Sequence, residues 1–272
     1  MVVTSGKYFW MTALLICLLA MPAFAGTYEE IFSDDFDSYP AGTLLSSGDV
    51  DGWTVPTDGL DQPFNGSGDA NQKVVDSQFV SSSNSLQLEG FVSWASNAYR
   101  ATEIPTMVRL AGKIRIDKDS TCSQDPKMTR ILALMGLYNP AVETWGQEYG
   151  EVQFNCDNKI YAVKKHISDS SYEYAELMSY SRDTWYSVVL DINLKAKVYS
   201  VSINGKVIKE GIGFVADSGS KPTGIRLGAI HGGDQSSSPK GYPLAWFDDI
   251  SLSGYDPAPW TMFLVPVTRE RQ

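Results

Sequence analysis

Residues 185–211 carry the pattern that most constrains the fold of this chain, WYSVVLDINLKAKVYSVSINGKVIKEG. Apolar side chains occupy every second position on both sides of a polar break, at Tyr186, Val188, Leu190, Ile192, Tyr199, Val201 and Ile203. Such alternation is typical of strands that bury one face. Asn204-Gly205 then supplies two residues that tolerate a positive φ, as a type I′ hairpin turn requires. The stretch therefore predicts a three-stranded antiparallel meander.

Similar short runs, rich in Val, Ile, Tyr, Phe and Trp and bounded by Gly, Pro, Asn, Asp and Ser, fill the chain from Lys73 to Ser253. An additional short strand is expected around Trp53. The region lacks the i, i+3, i+4, i+7 spacing of a long amphipathic helix. These features predict an all-β fold, a two-sheet antiparallel jelly-roll sandwich in a single domain.

The N-terminal segment has the pattern of an export signal. An apolar run, Tyr8 to Ala20, is followed by the small-residue sequence Ala23-Phe24-Ala25, which predicts a signal peptide over residues 1–25. The run is short for a membrane span, although an uncleaved anchor is the alternative. We therefore expect a secreted or cell-envelope protein without a stable membrane span after cleavage. Residues 26–255 would form the sandwich, and residues 256–272 a disordered or surface-docked tail or a degenerate sorting signal.

The chain is acidic, with a formal net charge of −10. Removing Lys7 with the signal peptide would bring this to −11, since it is the only charged residue of that segment. Without a basic cluster, nucleic acid and anionic membrane surfaces are poor partners. The charge fits a neutral polysaccharide, or a cell-surface glycan or protein, better than a polyanion.

Two cysteines, Cys122 and Cys156, would remain after signal cleavage. In an oxidising compartment a disulfide between them is the simplest expectation, and it would contribute about 3 to 4 kcal/mol by loop entropy. Two unpaired thiols are the alternative.

Five motifs occur in an order that resembles the concanavalin A-like lectin/glucanase superfamily, and within it the laminin-G-like jelly-roll domains of exported bacterial proteins. They are FSDDFDSYPAGTL near the start, GW at 52–53, SSSNSLQLEG at 81–90, the meander, and WFDDISLSGYD at 246–256. The resemblance covers roughly residues 31–255 and implies a jelly-roll fold. That superfamily includes lectins, adhesion modules, glycoside hydrolases and polysaccharide lyases, so the resemblance alone does not assign an activity.

The resemblance also implies which motifs an enzymatic member would carry. Laminarinase-type members place E-x-D-x-x-E on one strand, whereas the nearest acidic run here, Glu148-Tyr149-Gly150-Glu151, has a different period. The Gln-x-His and Tyr-Lys-Gly-Tyr strands of alginate-lyase-type members are also missing from the sequence. We therefore predict a secreted non-catalytic carbohydrate-binding or cell-surface adhesion β-sandwich. A glycoside hydrolase or polysaccharide lyase of the same fold is the alternative.

Both histidines are weak catalytic candidates. His166 follows two lysines at a strand end, and His231 stands at the mouth of a Gly-rich loop. Either could act as a general base beside a carboxylate. An ordinary surface or hydrogen-bonded histidine is the simpler interpretation of each.

Aromatic side chains near strand ends are the candidates for glycan stacking. The candidate ligand-binding residues are Trp94, Tyr99, Arg100, Trp145 and Tyr149. The alternative for a loop Trp is packing beneath its loop.

Two carboxylates, Asp34 and Asp248, are the candidate metal ligands. Alternation puts each on the more apolar face of a terminal strand, Asp34 with Phe32 and Phe36 and Asp248 with Trp246 and Ile250. First and last strands of jelly rolls commonly lie side by side, so the two acids would meet. A structural Ca²⁺ completed by backbone carbonyls would offset their repulsion, and related domains holding calcium agree with this. Hydrogen bonds to the amides and hydroxyls of SYPAG are the alternative.

Overall fold

The chain forms a sandwich of two antiparallel sheets. A computed structural model describes residues 27–55, 72–80, 83–90, 95–121, 131–141, 149–168, 171–216, 220–230 and 243–256. Tyr28–Asp256 make up one compact unit. None of the described residues belongs to a helix long and apolar enough to cross a membrane.

The larger sheet has eight strands in the order β13-β12-β11-β6-β15-β4-β3, with β1 also paired to β15. Its strands are β1 (Thr27–Asp34), β3 (Gln72–Val75), β4 (Ser85–Glu89), β6 (Met107–Ile116), β11 (Tyr186–Asn193), β12 (Val198–Ile203), β13 (Lys206–Gly213) and β15 (Leu244–Asp256).

The smaller sheet has seven strands in the order β10-β9-β8-β7-β14-β5-β2. Its strands are β2 (Trp53–Thr54), β5 (Ala95–Ala101), β7 (Ile131–Tyr138), β8 (Glu151–Asn155), β9 (Lys159–Ser168), β10 (Ser171–Ser179) and β14 (Gly224–Ile230). A single 3₁₀ turn, Leu45–Ser47, is the only helical element among the described residues.

One apolar core fills the space between the sheets. Each sheet turns one set of alternating side chains inward, such as Leu110 and Leu190 from the larger sheet and Val152 and Leu227 from the smaller, and all four are fully buried. The predicted all-β, two-sheet jelly-roll sandwich is therefore confirmed.

The predicted meander is confirmed as β11, β12 and β13, with Leu190 opposite Val201. Asn204 and Gly205 have φ values of 52° and 75°, the positive pair of a type I′ turn. The Asn204 side chain also accepts a 3.0 Å hydrogen bond from the Ser187 amide, which closes the turn against β11.

First and last strands lie side by side as expected, since β1 pairs with β15. The predicted faces of these strands hold only in part. Phe32 and Asp34 share the core-facing side of β1, but β1 ends at Asp34, and Phe36 lies in a turn with a φ of 59°. In β15, an irregularity between Asp248 and Ser251 interrupts the alternation, so Phe247 and Ile250 both reach the core. Strict alternation had placed Phe247 and Ile250 on opposite faces.

Candidate active site

A polar cluster lies on the outer face of the seven-stranded sheet, the face turned away from the core. Ile225 and Leu227 of β14 and Val152 and Phe154 of β8 point into the core, so Arg226, Glu151 and Gln153 point outward. The register places Arg226 opposite Gly136 of β7, and Gly136 opposite Glu151. Arg226 and Glu151 thus occupy one row, separated by a residue without a side chain.

Glu151 is the central acid of this cluster and is only 9% exposed. A Cβ on Gly136 would lie 2.8 Å from the Glu151 Cβ, so only glycine lets β7 and the glutamate pack this closely. Gln153 Nε2 donates a 2.5 Å hydrogen bond to Glu151 Oε1. The Tyr174 hydroxyl donates to Gln153 Oε1 at 2.9 Å, which fixes which end of the amide faces the glutamate.

Arg226 is held on two sides. Its Nε donates a 2.8 Å hydrogen bond to Asn97 Oδ1, and its guanidinium carbon lies 4.8 Å from the centroid of the Tyr138 ring. Asn97 is fully buried and Tyr138 nearly so. The guanidinium therefore has a defined place. We call Asn97, Tyr138, Glu151, Gln153 and Arg226 the Glu151 cluster.

Burial raises the pKa of the Glu151 carboxyl above its ordinary value, and the Arg226 charge and the Gln153 hydrogen bond oppose this rise only in part. A carboxyl with a raised pKa keeps its proton into a less acidic range and can donate it. Because Oε1 accepts the Gln153 amide hydrogen, Oε2 is the oxygen on which the protonated carboxyl would carry its proton. A protonated carboxyl in this position can act as a general acid.

The outer face of the seven-stranded sheet extends over β9 and β10, where it carries aromatic and charged side chains. The rings of Tyr161 and Tyr174 lie 5.0 Å apart, and Lys159 pairs with Glu176 at 2.7 Å. The Tyr161 hydroxyl donates to Asp157 at 2.6 Å. Burial, followed by that hydrogen bond, raises the pKa of Tyr161, so this hydroxyl stays protonated.

Of the predicted ligand-binding residues, Tyr99, Arg100 and Tyr149 are among the described residues, and these three do not share one surface. Tyr99 lies on the outer face of β5, where its hydroxyl donates to the Thr223 carbonyl at 2.8 Å and its ring contacts Tyr138. Arg100 points to the opposite face of the strand, 4.4 Å from the Phe32 ring and 3.6 Å from Asp34.

Tyr149 is buried in the core, with its hydroxyl 2.6 Å from Ser220 Oγ, and could stack on a sugar only by leaving that position. Trp94, Trp145 and His231 lie outside the described residues. His166 belongs to β9, but its side chain is outside the described part of the structure. The roles predicted for these four residues stay predictions.

Asp34 and Asp248 each lie in a hydrogen-bond network. Asp34 accepts from the Phe36 amide at 2.9 Å, the Trp53 indole at 2.8 Å and the Tyr39 hydroxyl at 3.2 Å, and Asp248 accepts from the Val80 and Asp249 amides, both at 2.8 Å.

A polar cavity of about 420 Å³ is lined by Arg100 and by the carboxylates of Asp34, Asp35, Asp51 and Asp249, but not by Asp248. Among the described residues, no group of three or more His, Cys, Asp or Glu side chains could hold a metal ion. A carboxylate whose oxygens already accept several N–H and O–H hydrogen bonds has fewer lone pairs left to coordinate a cation. Calcium at this pair stays an untested prediction.

Cys156 lies in the turn between β8 and β9 and packs partly against the core, whereas Cys122 is outside the described residues. The disulfide therefore stays a prediction.

Sequence reasoning missed the Glu151 cluster. Glu151 was noted from sequence only as part of an acidic run whose period differs from that of the laminarinase-type motif. Asn97, Gln153 and Arg226 were not identified as candidates. A usable signal was the alternation in EVQFN, residues 151–155, where every second position of a strand between two core segments is polar. No pattern in the sequence indicates that these outward positions would be buried.

Comparisons with known proteins agree with the architecture. No family model and no curated protein matches the chain. Solved structures do match, at low identity. The endo-β-1,4-glucuronan lyase from the fungus Trichoderma reesei is 11% identical, with 82% of this chain and 95% of the lyase covered and a TM-score of 0.52.

Two further structures have the same architecture. One is the catalytic domain of the glycoside hydrolase family 131 protein from Coprinopsis cinerea, 11% identical, covering 83% of this chain and 94% of that domain, with a TM-score of 0.52. The other was reported in work on endo-acting O-glycanases with which prominent members of the human gut microbiota initiate mucin breakdown. It is 15% identical and covers 84% of this chain and 100% of that one, with a TM-score of 0.56. At these identities the likeness shows the fold alone.

Proposed function

We propose that this protein is an enzyme that cleaves a polysaccharide bound along the outer face of the seven-stranded sheet, with Glu151 as the general acid. The observation that carries the proposal is the environment of Glu151, a carboxyl that is 9% exposed, has a raised pKa and is oriented by Gln153. The core does not need a glutamate at an outward position. A buried acid of this kind is costly unless it has a use.

The comparisons favour an enzyme over the non-catalytic binding module expected from sequence. The similar folds include a glucuronan lyase and a glycoside hydrolase catalytic domain. Two side chains expected to stack on a sugar, those of Tyr99 and Tyr149, are instead held by hydrogen bonds. Action on an extracellular glycan would also fit the signal peptide expected over residues 1–25.

The proposed role of Glu151 is a step common to hydrolysis and β-elimination. In both reactions a carbon–oxygen bond of the glycosidic linkage breaks, and the departing oxygen gains a proton. Glu151 Oε2 would supply that proton, leaving a carboxylate that Gln153 and Arg226 stabilise until water reprotonates it. Hydrolysis adds water at the anomeric carbon, whereas elimination removes a proton from the carbon next to a uronate carboxyl and leaves a double bond.

The test is Glu151→Gln, which keeps the shape of the side chain and removes the acidic proton. On a panel of neutral β-glucan, glucuronan, alginate and mucin O-glycans, we expect the wild type to cleave at least one substrate. The variant should lose about 10² to 10⁴-fold in kcat/KM. New reducing ends without ultraviolet absorbance would identify a hydrolase, and unsaturated uronates a lyase.

Glu210→Gln is the matched control, since Glu210 is exposed on β13 of the other sheet, and it should keep full activity. The proposal fails if the folded wild type cleaves nothing on the panel, or if Glu151→Gln cleaves as fast as the wild type.

A further inference from the structure

Arg226 and Glu151 face each other across one strand. Arg226 is paired with Gly136 and Gly136 with Glu151, so two strand spacings, roughly 9.5 Å, separate their backbones. Gly136 places no side chain between them, and Glu151 packs directly against it. The two side chains can therefore interact over the top of β7.

The place of the Arg226 guanidinium is set independently of Glu151. Asn97 of β5 accepts its Nε hydrogen at 2.8 Å, and the Tyr138 ring of β7 lies 4.8 Å away. Asn97 is fully buried, which leaves it little freedom to follow a moving guanidinium. Substituting Arg226 therefore changes the charge near Glu151 without removing the groups around it.

Among the described residues, Arg226 is the charged side chain in the same cross-strand row as Glu151. The outward-facing tyrosines of the neighbouring strands are Tyr99 of β5, Tyr138 of β7, Tyr161 of β9 and Tyr174 of β10. The charged groups of β9 and β10 and of the turn before β9 include Asp157, Lys159, Lys165, Glu173 and Glu176. These side chains are partly or largely exposed, so water screens their charges.

We infer that Arg226 is a positioning residue for Glu151, and that its charge, acting across Gly136, sets the upper pH limit of proton donation. This inference rests on the proposed function of Glu151. An opposite charge in a poorly solvated site favours the ionised carboxyl, so Arg226 limits how strongly the acid holds its proton. It also stabilises the carboxylate left after transfer. Arg226 need not touch the substrate for this role.

The sign of the effect makes the inference testable. Removing the Arg226 charge should raise the pKa of Glu151, so the acid stays protonated to higher pH. The alkaline limb of the kcat/KM profile should then move up by about one pH unit or more, while the maximal rate falls because the carboxylate product is less stabilised. Arg226→Met and Arg226→Gln remove the charge, and Arg226→Lys retains it.

Lys159→Met is the control, because it removes an exposed cation from the same sheet face. In both Lys159→Met and Arg226→Lys, the alkaline limb of the kcat/KM profile should stay within a few tenths of a pH unit of its wild-type position. A purely structural role for Arg226 would lower the rate at every pH and leave the limb in place. Two neutral variants are used so that poor folding of one does not decide the test.

A second readout does not require activity. Titration of ¹³C-labelled glutamate carboxyls by NMR, with the Glu151 resonance assigned by its loss in Glu151→Gln, reports the Glu151 pKa directly. We expect it to rise in Arg226→Met and Arg226→Gln. An unchanged Glu151 titration in both neutral variants overturns the inference. A raised pKa in a protein that cleaves no polysaccharide would support the electrostatic link and reject the proposed function.

Discussion

At the scale of single residues, Asp34 shows how one buried carboxylate organises a turn. Its two oxygens accept hydrogen bonds from the Phe36 amide, the Tyr39 hydroxyl and the Trp53 indole. These donors come from the turn after β1 and from β2. The alternative to calcium weighed from sequence was hydrogen bonding to SYPAG, and of the observed donors to Asp34 and Asp248 only the Tyr39 hydroxyl belongs to that segment.

We predict that Asp34→Ala lowers the free energy of unfolding by about 2 to 4 kcal/mol, because it leaves buried donors of Trp53 and Phe36 without an acceptor. Urea denaturation followed by tryptophan fluorescence measures this. Asp35→Ala is the control, since Asp35 is exposed, and should change stability by less than about 0.5 kcal/mol. Equal midpoints for the two variants would contradict the prediction.

EDTA separates the two explanations for Asp34. If hydrogen bonds alone hold the carboxylate, EDTA leaves the Tm of the wild type unchanged. A calcium site would show a lower Tm in EDTA, restored by added Ca²⁺, and the restoration would be absent in Asp34→Ala.

At the scale of elements, sequence patterns predicted the structure correctly where the pattern lies within one strand or one turn. The alternating residues Tyr199, Val201 and Ile203 predicted from sequence all lie in β12 (Val198–Ile203), since alternation and the Asn204-Gly205 turn are properties of adjacent residues. The faces of β15 were not predictable in this way. A positive φ at Asp249 and the irregular pairing beside it depend on how the strand fits β6, and one extra residue reverses which side chains are buried.

The turn between β12 and β13 gives the prediction at this scale. Gly205 has a φ of 75° with open space around its Cα, so Gly205→Ala meets only backbone strain. We expect a loss of about 1 kcal/mol of stability. Gly213→Ala, on the same hairpin with equally open space and no positive φ, should be close to neutral or slightly stabilising. Thermal unfolding by circular dichroism compares them, and equal Tm values would reject this account of the turn.

At the scale of the whole molecule, the Glu151 cluster depends on topology. Asn97 and Arg226 are 129 residues apart in sequence yet share a hydrogen bond, because β5, β14, β7 and β8 are neighbours in the sheet. No pattern within one strand predicts which distant strand will lie beside it. The sequence could therefore indicate a sandwich. Which residues share its outer face could not be predicted, because that depends on the order of the strands in the sheet.

Net charge acts at the same scale. A chain with a formal charge of −10 repels a polyanionic chain at long range, whereas a neutral glycan approaches without this barrier. The repulsion is screened as salt shortens the Debye length from about 30 Å at 0.01 M to about 3 Å at 1 M. Arg226 adds a local positive charge on the outer face, but a single charge does not change the sign of the long-range field.

We therefore predict that salt changes the association rate of a polyanionic glycan but not that of a neutral glycan. Association of the Glu151→Gln protein with immobilised alginate should speed up by about tenfold between low and high NaCl, because screening removes the repulsion. Association with a neutral β-glucan should stay constant over the same range. Biolayer interferometry measures both rates on one protein preparation, and the neutral glucan serves as the internal control. If association with alginate instead slows as salt is added, a positively charged surface steers the polyanion and the preference for neutral glycans is wrong.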